Sequence, residues 1–188
     1  YNMKLLPLEI NDLVALHNVR FVQAKEEKGI PENNNSRSAS RTSIVQSMTN
    51  YDGTGITVGL GDDGDIGPHV DYQGRLTSFA SASLGDHGDH VAGTIMGAGN
   101  IDPDGKGIAP GADLIYRSYP SNLNSVDTDY LSYGVRVTNS SYSNGCNAGY
   151  TSYSSQVDQD AIQNPGLIHV FSAGNSNGLD CGYGAGSQ

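Results

Sequence analysis

The chain has 188 residues, a length that accommodates one sizeable domain with a buried core, or one domain and a small appendage. Ten Lys and Arg stand against 20 Asp and Glu, giving a formal net charge of −10, which argues against the clustered cations that nucleic-acid binding requires. No apolar run approaches the roughly 20 residues of a membrane span. The opening YNMKLLPLEI lacks the basic start and long apolar stretch of a signal peptide, so secretion requires a targeting segment that was removed or precedes Tyr1.

Leu8, Ile10, Leu13, Val14 and Leu16 fall at near-helical spacing, and VRFVQ alternates like a short strand. EEKGIPENNNSRSASRTS is polar, with Gly, Pro and an Asn run, and predicts loop or linker. The chain therefore divides into an N-terminal extension over residues 1–26, a linker over 27–50 and a main domain over 51–188.

In the main domain short apolar runs stop at glycines and polar residues: ITVGL (56–60), ADLIY (112–116), VRVTNSS (135–141) and LIHVFSAG (167–174). Their length and their Val and Ile content predict strands buried on both faces. HVAGTIMGA after His87 and the stretches 126–134 and 154–164 predict helices between them. This alternation predicts an α/β fold with a mainly parallel sheet, whose chemistry gathers at the carboxyl ends of the strands. Asp62 sits at the end of the first strand, His87 opens the first helix, and Asn175 follows the last strand. An acid, an imidazole and an amide at successive strand ends are what acyl transfer needs.

Five segments then carry a resemblance. ITVGLGDDG, HGDHVAGTI, KGIAPGADL, VTNSSYS and VFSAGN resemble, in the same order, the characteristic segments of the subtilases, and the match covers roughly residues 50–180. The resemblance implies a three-layer subtilisin-like fold, incomplete in this chain, and a serine endopeptidase acting on polypeptides outside the cytoplasm. It gives Asp62 the task of holding the His87 ring, His87 that of general base and acid, and Asn175 that of donor to the oxyanion. Ser141, Tyr142 and Ser143 would pair with an extended substrate as an added strand. Phe171, Ser172, Ala173 and Gly174 would wall the pocket for the residue before the cut.

Three departures qualify this. The family's Gly-Thr-Ser-Met-Ala-like nucleophile segment has no match, and Ser187 in GAGSQ has no helix to sit on. Alone, the chain is expected to be inactive, with the serine supplied by the C-terminal remainder of the same protease, downstream or as a docked second chain. Asp63 stands where many subtilases carry Ser or Thr, and resembles the Asp-Asp-Gly form of the proprotein convertases; it either favours a basic residue beside the cleaved position or is a solvated acidic turn. Asp89 replaces the usual Thr between the two histidines.

Cys146 and Cys181 are either a disulfide, expected in an extracellular protein, or two free thiols. By the resemblance a bridge would tie the two cleft-lining segments together. No cofactor is required for the chemistry. Calcium enters because subtilases often bind it and because DPDG (102–105) and Asp62, Asp63 and Asp65 offer carboxylates at turns; the plain reading of those residues is turn formation. His87 and His90, three apart, with Asp62 or Asp89 would suit a zinc hydrolase, but H-E-x-x-H spacing is absent and His90 is read as a packed structural histidine. The alternative function is a catalytically dead subtilase-like binding module. Residues 1–26 resemble the tail of a subtilase prodomain, or are an extension.

Overall fold

The computed structural model describes residues 12, 13, 15–17, 19, 33–80, 86–142 and 150–173. Residues 1–31 and 32–188 are separate compact units. In the first, Leu16 N donates to Leu13 O and Val19 N to Leu16 O, two consecutive turns; the predicted strand VRFVQ lies, but for Val19, outside the described residues.

The second unit is built on a parallel sheet of β1 (Thr57–Asp62), β2 (Leu76–Ser78), β3 (Asp113–Ser118), β4 (Val135–Ser140) and β5 (Ile168–Phe171), in the order β2-β3-β1-β4-β5. The helices are α1 (Asn33–Ala39), α2 (Thr42–Thr49), α3 (His87–Met96), α4 (Ser121–Asn124), α5 (Val126–Tyr133) and α6 (Ser152–Gln163).

Strand alternation sorts the apolar residues into two cores. Val58, Leu60, Leu114 and Tyr116 pack with Ala92 and Met96 of α3. Ile115 is one residue out of phase and joins Val126 of α5, Val135 and Leu167 in the other. A core on each face of one sheet makes three layers, the predicted architecture. Burying a side chain such as Leu60 or Leu114 contributes about 1.5–3 kcal/mol. One helix start is locally encoded: Thr151 and Ser154 form a reciprocal capping box that begins α6.

The structure corrects three expectations. The stretch predicted as loop or linker carries α1 and α2. Asn50 in the left-handed region closes α2 through its N–H to Gln46 O, and Gln46 Nε2 donates to Ile108 O at 2.8 Å. The run LIHVFSAG was expected to be buried on both faces, yet Ile168 is 58 % exposed and Val170 and Phe171 nearly half exposed. β5 is the outermost described strand and, among the described residues, pairs only with β4. Finally, β2 was not predicted. Its three residues are too short for a periodic signal, and it is held by neighbours: Leu114 N donates to Arg75 O and Phe79 N to Tyr116 O.

Candidate active site

β1 lies between β3 and β4, so the strand order reverses at β1 and opens a crevice at its carboxyl end, where open α/β sheets bind ligands. Asp62, the last residue of β1, occupies that point. Its backbone carbonyl accepts from the Tyr116 hydroxyl at 3.2 Å and from Tyr119 N at 3.0 Å, which fixes it to β3. Burial pushes the Tyr116 hydroxyl up to about 12, so it remains a donor.

The Asp62 side chain is 1 % exposed, and its Oδ1 lies 2.6 Å from His87 Nδ1. Oδ1 also accepts from Asp63 N at 2.9 Å. Burial pushes the Asp62 carboxyl up, while the hydrogen bonds from His87 and from the Asp63 backbone pull the other way. The same bond, followed by the charges of Asp62, Asp63 and Asp86, raises His87 above its ordinary value. The His87 side chain is 55 % exposed, so with Nδ1 engaged by the carboxylate its free nitrogen is the one left for proton traffic.

Gly88 is buried where α3 meets β1: a Cβ there would lie 3.5 Å from the Tyr116 hydroxyl and 3.6 Å from Asp62 Cβ, in ordinary van der Waals contact, so the first turn of α3 seats directly beside the acid. The buried positions of α3 are Gly88, Ala92 and Met96, one helical stripe. His90 is off that stripe and exposed, which corrects its reading as a packed histidine.

Among the described residues, one group of three metal-ligand side chains comes together, Asp62, Asp63 and His87, with donor atoms within 4.8 Å of one another. The 2.6 Å contact already engages His87 Nδ1 with Asp62 Oδ1 as a hydrogen bond, not a coordination geometry. Neither His90 nor Asp89 belongs to the group. In the DPDG turn Asp102 Oδ1 accepts from Asp104 N at 3.0 Å, so this carboxylate does turn work.

β4 delivers Ser140, which pairs with Gly61 of β1 and Phe171 of β5. Ser141 and Tyr142 follow directly, half-buried beside the Asp62 end of the sheet. The Tyr142 hydroxyl donates to Asn122 Oδ1 of α4 at 2.8 Å, and its ring stacks on Tyr119 at a centroid distance of 4.7 Å. Phe171, Ser172 and Ala173 are exposed at the end of β5, and Ser172 N donates to Ser140 O at 3.1 Å. Asn175, Ser143, Gly174, Cys146 and Cys181 lie outside the described residues. The sequence did not single out Asn122, Tyr119 or Tyr116; their roles depend on where β3 and α4 end, which no motif marks. A groove of about 570 Å³ is lined by Ile66, Pro68, His69, Tyr72, Leu76 and Ser78 among others and includes neither Asp62 nor His87.

Comparison with known proteins places the fold. The chain is 32% identical over 152 residues to alkaline serine exoprotease A of Vibrio alginolyticus, covering 71% of this chain and 26% of that protein. It is 25% identical over 170 residues to the serine protease/ABC transporter B family protein tagA of Dictyostelium discoideum, covering 75% of this chain and 10% of that one. The chain thus spans about a quarter or less of these relatives. Among solved structures, MycP1 from the ESX-1 type VII secretion system superposes with a TM-score of 0.53 at 19% identity, over 82% of this chain and 48% of that one. MycP1 with its N-terminal propeptide removed gives 0.51 at 22% identity, over 74% and 49%. At those identities the likeness concerns the fold. Residues 53–188 match the model of the subtilase family, and the chain belongs to that family.

Proposed function

We propose that the protein is a serine endopeptidase that hydrolyses peptide bonds through an acyl-enzyme, with this chain supplying the acid–base half of the machinery. The observation that carries this reading is the 2.6 Å contact between His87 Nδ1 and the buried Asp62 carboxylate at the crevice of the sheet. Asp62 holds His87 in the tautomer with Nδ1 protonated, so that Nε2 is basic. Nε2 takes the proton of a serine hydroxyl as the hydroxyl oxygen bonds to the scissile carbonyl carbon. The imidazolium then forms beside Asp62, which stabilises it without accepting its proton, and Nε2 returns the proton to the leaving amine. Water repeats the cycle on the acyl-enzyme. Asn175 donates its amide to the oxyanion.

The serine comes from the C-terminal remainder of the same protease. The substrate is an extended polypeptide, which would add as a further strand along Ser141, Tyr142 and Ser143, the residues that follow β4 in sequence. Phe171, Ser172, Ala173 and Gly174 wall the pocket opposite. The site of action we propose is outside the cytoplasm; among the described residues no helix is long and apolar enough to cross a membrane. Calcium, if it binds, is structural and takes no part in these steps.

The test is covalent labelling of the full-length protein with a sulfonyl fluoride, together with casein hydrolysis. One labelled serine and activity abolished by Asp62→Asn and His87→Ala are expected. No labelling and no hydrolysis, in a protein that still binds peptides, would instead establish a binding module.

A further inference from the structure

Three consecutive residues in the first turn of α3 each meet the segment that leaves β1. His87 Nδ1 contacts Asp62 Oδ1 at 2.6 Å. Gly88 packs against Ile66, whose Cγ1 would lie 3.6 Å from a Cβ at position 88, and Ile66 is buried. Asp89 Oδ1 accepts from Gly67 N at 3.0 Å, and the Asp89 backbone carbonyl accepts from the Tyr72 hydroxyl at 2.9 Å. The Asp62–His87 contact is therefore one rung of a short ladder, and Asp89 supplies its far end.

The ladder matters because of what else holds each side. Asp62 is fixed from β3 through its carbonyl. The buried contacts of α3 beyond Gly88 are Ala92 and Met96, further along the helix. Between them runs Asp63–Pro68, a stretch with two glycines and two acidic residues in which Ile66 is the buried apolar residue. Such a stretch has little packing of its own to fix its path. The Asp89 carboxylate also sits in the first turn of the helix, where its charge is favoured, so it is presented to Gly67 N–H without an electrostatic penalty from the helix.

We infer that Asp89 is a positioning residue: it ties the turn after Asp62 to the helix that carries His87 and thereby sets the geometry of the Asp62–His87 bond. It touches neither substrate nor the reacting atoms. The inference rests on the proton-transfer reading of Asp62 and His87 given above. It also assigns a task to the departure from the family's Thr at this place. An Asp side chain at 89 reaches the Gly67 amide as a charged acceptor, which strengthens the bond relative to a neutral one.

The test uses the full-length protease, with Asp62→Asn as reference, and variants Asp89→Ala and Asp89→Asn. Asp89→Ala is expected to lower kcat on the order of 10- to 100-fold with KM unchanged, as for a misplaced catalytic group. Asp89→Asn keeps an acceptor oxygen and is expected to recover most of kcat. The far-downfield proton signal of His87 Nδ1 should broaden or move in Asp89→Ala and return in Asp89→Asn. Where Asp89→Ala does not accumulate, Tyr72→Phe removes only the hydroxyl rung and should also lower kcat at constant KM. A reduced Tm with wild-type kcat and an unmoved Nδ1 signal overturns the inference, since it leaves Asp89 a purely structural role. If Asp62→Asn itself retains full activity, the protease reading falls first, a result distinguishable from the other.

Discussion

Tyr142 and Asn122 are joined by a 2.8 Å hydrogen bond from the tyrosine hydroxyl to Oδ1, and the same amide donates through Nδ2 to Ser140 Oγ at 3.1 Å. This bridge passes over Gly61, where a Cβ would fall well inside contact distance of the Asn122 side chain. Gly61→Ala must therefore expel Asn122 or shift β1. Overpacking of this kind costs about 1–3 kcal/mol, and it also frees Tyr142. Denaturant unfolding should show the loss, and peptide KM should rise. An unchanged midpoint together with an unchanged KM would remove Asn122 from the account.

Asp62→Asn tests the proton-transfer step. In other serine proteases the same exchange lowers kcat about 10⁴-fold by presenting the wrong tautomer, and a similar loss is expected here. The pH dependence carries a sign. The Asp62 hydrogen bond raises His87 above its ordinary 6.5, and only neutral His87 acts as a base. Activity should therefore be lost as pH falls through a value above 6.5, and in the variant that limb should move down. A limb that stays in place would mean that His87 is not the titrating base.

Asn175→Leu removes the amide assigned to the oxyanion. Loss of one such donor lowers kcat on the order of 10²–10³-fold, with KM nearly constant because the ground-state carbonyl is not its target. A change confined to KM would assign Asn175 to substrate binding instead.

Arg117 and Asp129 form a part-buried bidentate pair, with Nη2–Oδ1 at 2.7 Å and Nε–Oδ2 at 2.9 Å, and the guanidinium lies 4.3 Å above the Phe79 ring. Asp129→Ala leaves a charge with its partner missing and is expected to cost about 3–5 kcal/mol. Replacing both partners, Arg117→Met with Asp129→Leu, should recover most of that. Equal losses in the single and double variants would show that the pair's packing, not its charge, is what matters.

Asp160 is 1 % exposed, with Oδ1 accepting from Gln156 Nε2 at 2.8 Å and Oδ2 unpartnered. Burial raises its pKa above 3.8. The folded state thus binds this proton more tightly than the unfolded chain, and ionisation costs stability as pH rises from 3.8 through the raised value. Asp160→Asn should be more stable than the parent at pH 7 and lose that advantage below 3.8. A stability difference independent of pH would refute the burial argument.

The parts of the fold that were legible in the sequence are those with a periodic signal. The runs at 56–60, 112–116 and 135–141 became β1, β3 and β4, and the stretches after His87 and around 126–134 and 154–164 became α3, α5 and α6. β2 was not legible, because Leu76–Ser78 is too short to show a period and is defined by Arg75 and Phe79 bonding to β3. α1 and α2 were masked by their Asn and Ser content, which reads as loop. At the site, Asp62 and His87 were marked by their places at a strand end and a helix start. Asp89 was marked only as a departure from the usual Thr; its contacts were not legible, since its partners Gly67 and Tyr72 are adjacent only once the turn after β1 folds back on α3.

The described partners of the Asp62 carboxylate and carbonyl, namely Asp63, His87, Tyr116 and Tyr119, all follow it within one stretch of chain that ends before α4. A ribosome emitting this polypeptide delivers every one of them before β4 and β5 emerge. The Asp62–His87 contact accordingly draws only on chain that precedes β4 and β5, so its making and the making of the outer half of the sheet depend on different stretches of the polypeptide.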